Sequence, residues 1–121
     1  MRGQRLAHTR ILTVNLPRLM SGVLTAIVAE HQDMEIVGEA EACNVLEAVR
    51  ARNSNVIVIG TDEGRTDPMF ALLEKQMPTL RIVTIDREGR RATAYEPGAA
   101  PLEATEVSPG VLMEMLRGST R

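Results

Sequence analysis

Residues 55–60 read NVIVIG, four β-branched aliphatic residues in a row between an Asn and a Gly. A run without polar alternation is apolar on both faces, as in a strand inside a parallel sheet that is covered by helices above and below. Gly60 ends the run, and the polar stretch GTDEGRT (60–66) forms a loop at its C-terminal end. That is the edge at which open α/β sheets bind ligands.

The same pattern recurs outward from this stretch. Downstream, Asp67-Pro68 caps and starts a helix with Met69, Leu72, Leu73 and Gln76 or Met77 inward, and LRIVTI (80–85) is the next strand. Upstream, RILTV (10–14) is a short apolar strand. Leu16, Leu19, Met20, Val23, Leu24, Ile27 and Val28 then make a helical stripe ending near His31, with Asn15 as its cap and Pro17 in its first turn. Glu35–Gly38 is a second strand, and Ala42, Val45, Leu46 and Val49 share one face of a second helix. The alternation predicts a doubly wound α/β fold of the flavodoxin type, strand order 2-1-3-4-5.

After residue 85 no fourth crossover helix is legible. Asp86 to Arg90 reads as a tight turn with Gly89 at positive φ. Arg91 to Tyr95 alternates like a strand, which predicts a β-hairpin with an antiparallel fifth strand at the sheet edge. Residues 97–107 read as a loop and residues 108–117 as a last helix that begins at Ser108-Pro109 and stops at Gly118. Residues 1–9 read as a flexible tail. One domain of 121 residues is expected.

Composition narrows the function. A net charge of -2 gives no basic surface for nucleic acid, and one Phe, one Tyr and no Trp give no base-stacking platform. Hydrophobic residues at 44% and charged residues at 25% are ordinary for a globular domain. No apolar run reaches the length of a membrane span, and one cysteine, Cys43, fits a reducing compartment, so the expectation is a cytoplasmic protein.

The ordered elements resemble the receiver domain of bacterial response regulators, in particular receivers fused to LuxR-type DNA-binding domains. ILTVNLPRLMSGVLTAIVAEHQDMEIVGEA carries the strand, Pro-containing loop, helix and second strand of that subfamily. NVIVIG resembles the strand that ends at the phosphoacceptor aspartate, and SPGVLMEML (108–116) resembles the last helix. The resemblance covers about three quarters of the chain and fails between residues 86 and 105.

Receiver chemistry needs an acceptor carboxylate, two acids that hold Mg²⁺, a lysine and a hydroxyl. Carried over position by position, the acceptor falls on Gly60, and the acid pair on Val14-Asn15 or Asn15-Leu16. The hydroxyl falls on Asp86, or on Thr84 in a shifted register, and the lysine falls near Thr105. The resemblance therefore implies a degenerate phosphoacceptor pocket at Asn15, Leu16, Gly60, Asp86 and Thr105. The single lysine, Lys75, lies in the third helix, far from that pocket.

Asp62 and Glu63 read as a solvated acidic loop rather than a metal site. No metal or cofactor is expected. Cys43 has no CxxC or His beside it, and His8 and His31 lack ligand spacing. Ser21 and Ser108 have no His/Asp frame, and the loop glycines lack the order of a phosphate cradle. Catalysis has no support.

The expected function is a protein-interaction module: a non-phosphorylatable receiver-like adaptor or dimerising scaffold. Its partner would be a kinase, a regulator or a second copy. A homodimer is expected through the 90–117 region, with Arg91, Thr93, Tyr95 and the off-face Met113 at the interface. The alternative is a sensor of a small anion or nucleotide over Asn15, Gly60 and Asp86, with Thr61 and Asp62 as its ligand loop. A phospho-receiver working through Asp62 or Asp86 and a DNA-binding regulator are the remaining readings.

Overall fold

The computed structural model describes residues 9–117. Six strands form one mixed sheet: β1 (Thr9–Val14), β2 (Met34–Ala40), β3 (Val56–Gly60), β4 (Arg81–Ile85), β5 (Ala92–Tyr95) and β6 (Leu102–Ala104). Their order is β2-β1-β3-β4-β5-β6. The first four pair in parallel, and β5 and β6 each pair antiparallel to the strand before. Four α-helices cover the sheet: α1 (Arg18–Ala29), α2 (Val45–Arg52), α3 (Pro68–Gln76) and α4 (Pro109–Arg117). The doubly wound sheet, the missing fourth crossover and the β4–β5 hairpin are all as the sequence implies.

Two aliphatic cores lie on the two faces. Because alternate side chains of a strand point to opposite faces, Ile11, Val56, Val58, Val83 and Ile85 join α1 and α4. Leu12, Val14, Ile57, Ile59 and Ile82 join α2 and α3. β3 is buried from end to end, as its unbroken apolar run requires.

Five expectations need correction. Residues 97–107 are not all loop, because Leu102–Ala104 pair with β5 and become the edge strand in place of β5. Thr9 is not tail but the first residue of β1, buried and bonded through its amide to the Asp33 carbonyl at 3.0 Å. Asn15 does not cap α1. The residue before that helix is Pro17, which makes no side-chain cap, while Asn15 takes a left-handed conformation, φ 55°. Leu19 is 78% exposed rather than inward, and in α3 Phe70 is buried where Leu72 is 42% exposed.

The helix ends show the local chemistry at work. Asp67 Oδ1 accepts from the Met69 amide at 2.9 Å, capping α3 before Pro68 in its first turn. His31 Nδ1 donates to the Ile27 carbonyl at 2.9 Å, so it satisfies one of the open acceptors at the end of α1. Ser108 Oγ accepts from the Val111 amide at 3.2 Å at the start of α4. Gly89 takes φ 74° in the β4–β5 turn, as its position in the sequence predicts. Gly118 and His8 lie outside the described residues.

Candidate functional site

The sheet's C-terminal edge is built by the ends of β1, β3 and β4 and by the loops that follow them. Gly60 is the last residue of β3, level with Ile85 of β4. A Cβ placed on Gly60 would meet the Asn15 carbonyl oxygen at under 3.0 Å, closer than real Cβ atoms approach. It would stand 3.0 Å from the Asn15 carbonyl carbon and 3.2 Å from Leu16 Cα. The space that a side chain at position 60 would need is thus filled by main chain. The β1–α1 loop reaches it because Asn15 adopts φ 55°, a conformation that Asn tolerates better than most residues. The end of β3 thus carries no side chain at position 60 and leaves no room for one.

The nearby acids are occupied by the fold. Asp62 Oδ1 accepts from the Arg87 amide at 2.9 Å. Asp86 Oδ1 accepts from the amides of Arg90, at 2.8 Å, and Arg91, at 3.3 Å, holding the β4–β5 turn. Thr61 hangs on β4 through its amide to the Ile85 carbonyl, 2.9 Å. Its hydroxyl donates to Asp67 Oδ2 at 2.9 Å and accepts from the Glu63 amide at 3.1 Å. Among the described residues no group of three or more His, Cys, Asp or Glu is placed to hold a metal ion.

Strand directions place Thr105. β6 runs parallel to β4, and Ile85, Ala92 and Ala104 are aligned across the three strands. Thr105 therefore follows β6 at the same edge as Gly60. It stands two strand spacings beyond β4, roughly 10 Å. Asn15, Leu16, Gly60 and Asp86 gather at the ends of β1, β3 and β4, while Thr105 is set apart by the inserted β5. Lys75 is exposed on α3.

The expected interface is not one surface. β5 lies between β4 and β6, so Arg91 to Tyr95 offer no open edge for strand addition. Tyr95 belongs to the α2/α3 face, where its ring meets Phe70 edge-on at 4.6 Å between centroids. Arg65 lies over both rings, 5.8 Å from that of Phe70 and 5.5 Å from that of Tyr95. Met113 packs half-buried on the opposite face. No local sequence signal announces this aromatic pair, because Phe70 and Tyr95 lie on different elements and only the fold brings their rings together. Cys43 is exposed, 3.8 Å from Glu41 Oε1.

The four parallel strands of the six-stranded sheet, with two helices on each face and a polar edge at the strand ends, make a receiver-like α/β fold. Among solved structures the chain is similar to the response regulator domain of Thermotoga maritima CheB, known from its crystal structure. The TM-score is 0.54 and the identity 23%, over 93% of this chain and 72% of that one. At that identity the likeness is one of fold. No protein-family model and no curated protein matches the chain. Among the described residues no helix is long and apolar enough to cross a membrane.

Proposed function

We propose that the chain is a non-phosphorylatable receiver-like module that acts in the cytoplasm by binding protein partners rather than by catalysis, as an adaptor or dimerising scaffold. One observation carries the reading: the Asn15 main chain stands where a side chain on Gly60 would have to go. An acyl phosphate needs a carboxylate at that point, a cation to offset its charge and space for its oxygens. The acids close by, Asp62 and Asp86, are bonded to main-chain amides instead. A fold kept without its reactive group retains its surfaces, and surfaces bind partners. The stretches EIVGEA (35–40) and SPGVLMEML (108–116) favour descent from receivers of LuxR-type regulators, and hence a partner within a signalling system.

Incubation with acetyl phosphate and Mg²⁺ followed by intact-mass measurement tests this reading. The unmodified mass is expected at every time point. A stoichiometric adduct of one phosphate, lost on mild alkaline or hydroxylamine treatment as an acyl phosphate is, overturns it.

A further inference from the structure

β4 runs through a tight turn straight into β5, so among the described residues no helix covers β5 on the face that carries α2 and α3. The space left beside α3 is a slot of about 340 Å³, within the size range of small-molecule sites. Phe70, Leu80 and Ile82 make its buried floor, and the half-buried Met77 and Tyr95 add apolar surface to it. Pro78, Pro97 and Pro101 line its exposed side, where the fixed φ of each restrains the connecting segments.

The charges beside that floor decide what fits. Arg65 Nη2 and Glu74 Oε2 stand 3.4 Å apart, and both side chains are more than half exposed. Water screens such a pair and it contributes little to the fold, so both groups are open to other partners. Arg65 is held beside the floor by the rings of Phe70 and Tyr95, and Glu74 shares with Phe70 and Met77 the side of α3 that lines the slot. Glu96 lines the slot as well, but it is tied to Arg81 at 2.8 Å where both are largely covered, and the two cancel. Two opposite charges side by side next to an apolar floor match the head group of an α-amino acid, whose carboxylate and ammonium are joined through one carbon. Set against the pair in the opposite sense, the carboxylate meets Arg65, the ammonium meets Glu74, and the side chain enters the slot. An acid or an amine of the same shape would meet one attraction and one repulsion. A segment inside a peptide chain carries no such head group.

From this match we propose that the slot between α3 and β5 binds a free α-amino acid with an apolar side chain, with Arg65 and Glu74 taking its head group. The site is separate from the strand-end edge at Gly60 and goes beyond the reading of the chain as an adaptor.

An amide-resolved NMR titration of the full chain with L-leucine, L-methionine and L-phenylalanine tests it. At least one of the three is expected to give saturable shifts gathered on the amides of residues 65, 70, 74, 77, 82 and 95. For that amino acid, the matching amine and the matching carboxylic acid each keep one charge, and the N-acetyl amide keeps none. All three analogues are expected to bind about tenfold more weakly or worse. Arg65→Ala and Glu74→Gln, both at exposed positions, are expected to weaken binding of the amino acid by a similar factor, with circular dichroism verifying that each variant is folded. No saturable shift from any of the three, an analogue that binds as tightly as the amino acid, or folded variants that bind like the wild type overturns the inference. Phosphate uptake in the mass assay would refute the functional reading and leave this result standing, so the two fail separately.

Discussion

Gly60→Ala is the smallest change that probes the closed pocket, and its sign is the informative quantity. Position 60 is not among the glycines at positive φ, so alanine is compatible with the backbone there. On backbone grounds alone the change should stabilise the fold by about 0.4–1 kcal/mol, because alanine restricts the unfolded chain more than glycine does. The structure reverses that expectation. The new methyl would lie within 3.0 Å of the Asn15 carbonyl oxygen, and the neighbouring atoms are main chain, which cannot rotate away as a flexible side chain would. Ordinary contact would require the β1–α1 loop to retreat by on the order of 1 Å. Overpacking of this kind costs about 1–3 kcal/mol. For a chain of this size that is a fall in melting temperature of roughly 4–12 °C. Urea unfolding followed by circular dichroism, with m unchanged, gives the free energy directly. An alanine variant as stable as the wild type, or more stable, would mean that the loop does not fill the site.

Three further changes test neighbouring parts of the account. Asn15→Ala keeps the loop's length but removes a residue suited to φ 55°, and is expected to cost about 1 kcal/mol in the same assay, whereas Asn15→Gly should be close to neutral. Asp67→Ala removes both the α3 cap and the acceptor for the Thr61 hydroxyl; a loss of about 1–2 kcal/mol is expected, and no change would show that the cap contributes nothing. Phe70→Ala empties the centre of the α2/α3 core and strips the platform from Arg65 and Tyr95. A loss of about 3–5 kcal/mol by denaturant unfolding is expected, and less than 1 kcal/mol would contradict the burial assigned to this ring.

The parallel half of the fold was legible because its signals are local and strong. NVIVIG can be buried on both faces only as a central strand, and Asp67-Pro68 is a helix start with a mechanism. The misses have physical causes. Leu102–Ala104 is three residues long and follows Pro101, too short for alternation to register, and its strand state comes from pairing with β5. Leu19 fits the helical stripe as well as Met20 does, and only the placement of α1 on the sheet decides which is covered. Likewise Phe70 and Leu72 flank the same inward arc of α3, and the docking of Tyr95 selects Phe70.

At the candidate site, the glycine at the end of β3 could be read from the sequence. The closing of the pocket could not. It depends on the path of the Asn15–Leu16 main chain over a strand forty-five residues further along the chain, and no local pattern encodes that approach.

The central claim is that this edge has neither the group nor the room for a phosphoryl moiety. It meets its most direct test in an amide-resolved NMR titration of the chain with Mg²⁺ and beryllofluoride, a mimic of an acyl phosphate. The amides of residues 15, 60–62, 84–86 and 105 should remain in place at saturating reagent. Saturable shifts gathered on those amides would show a working acceptor site, and the account would fail.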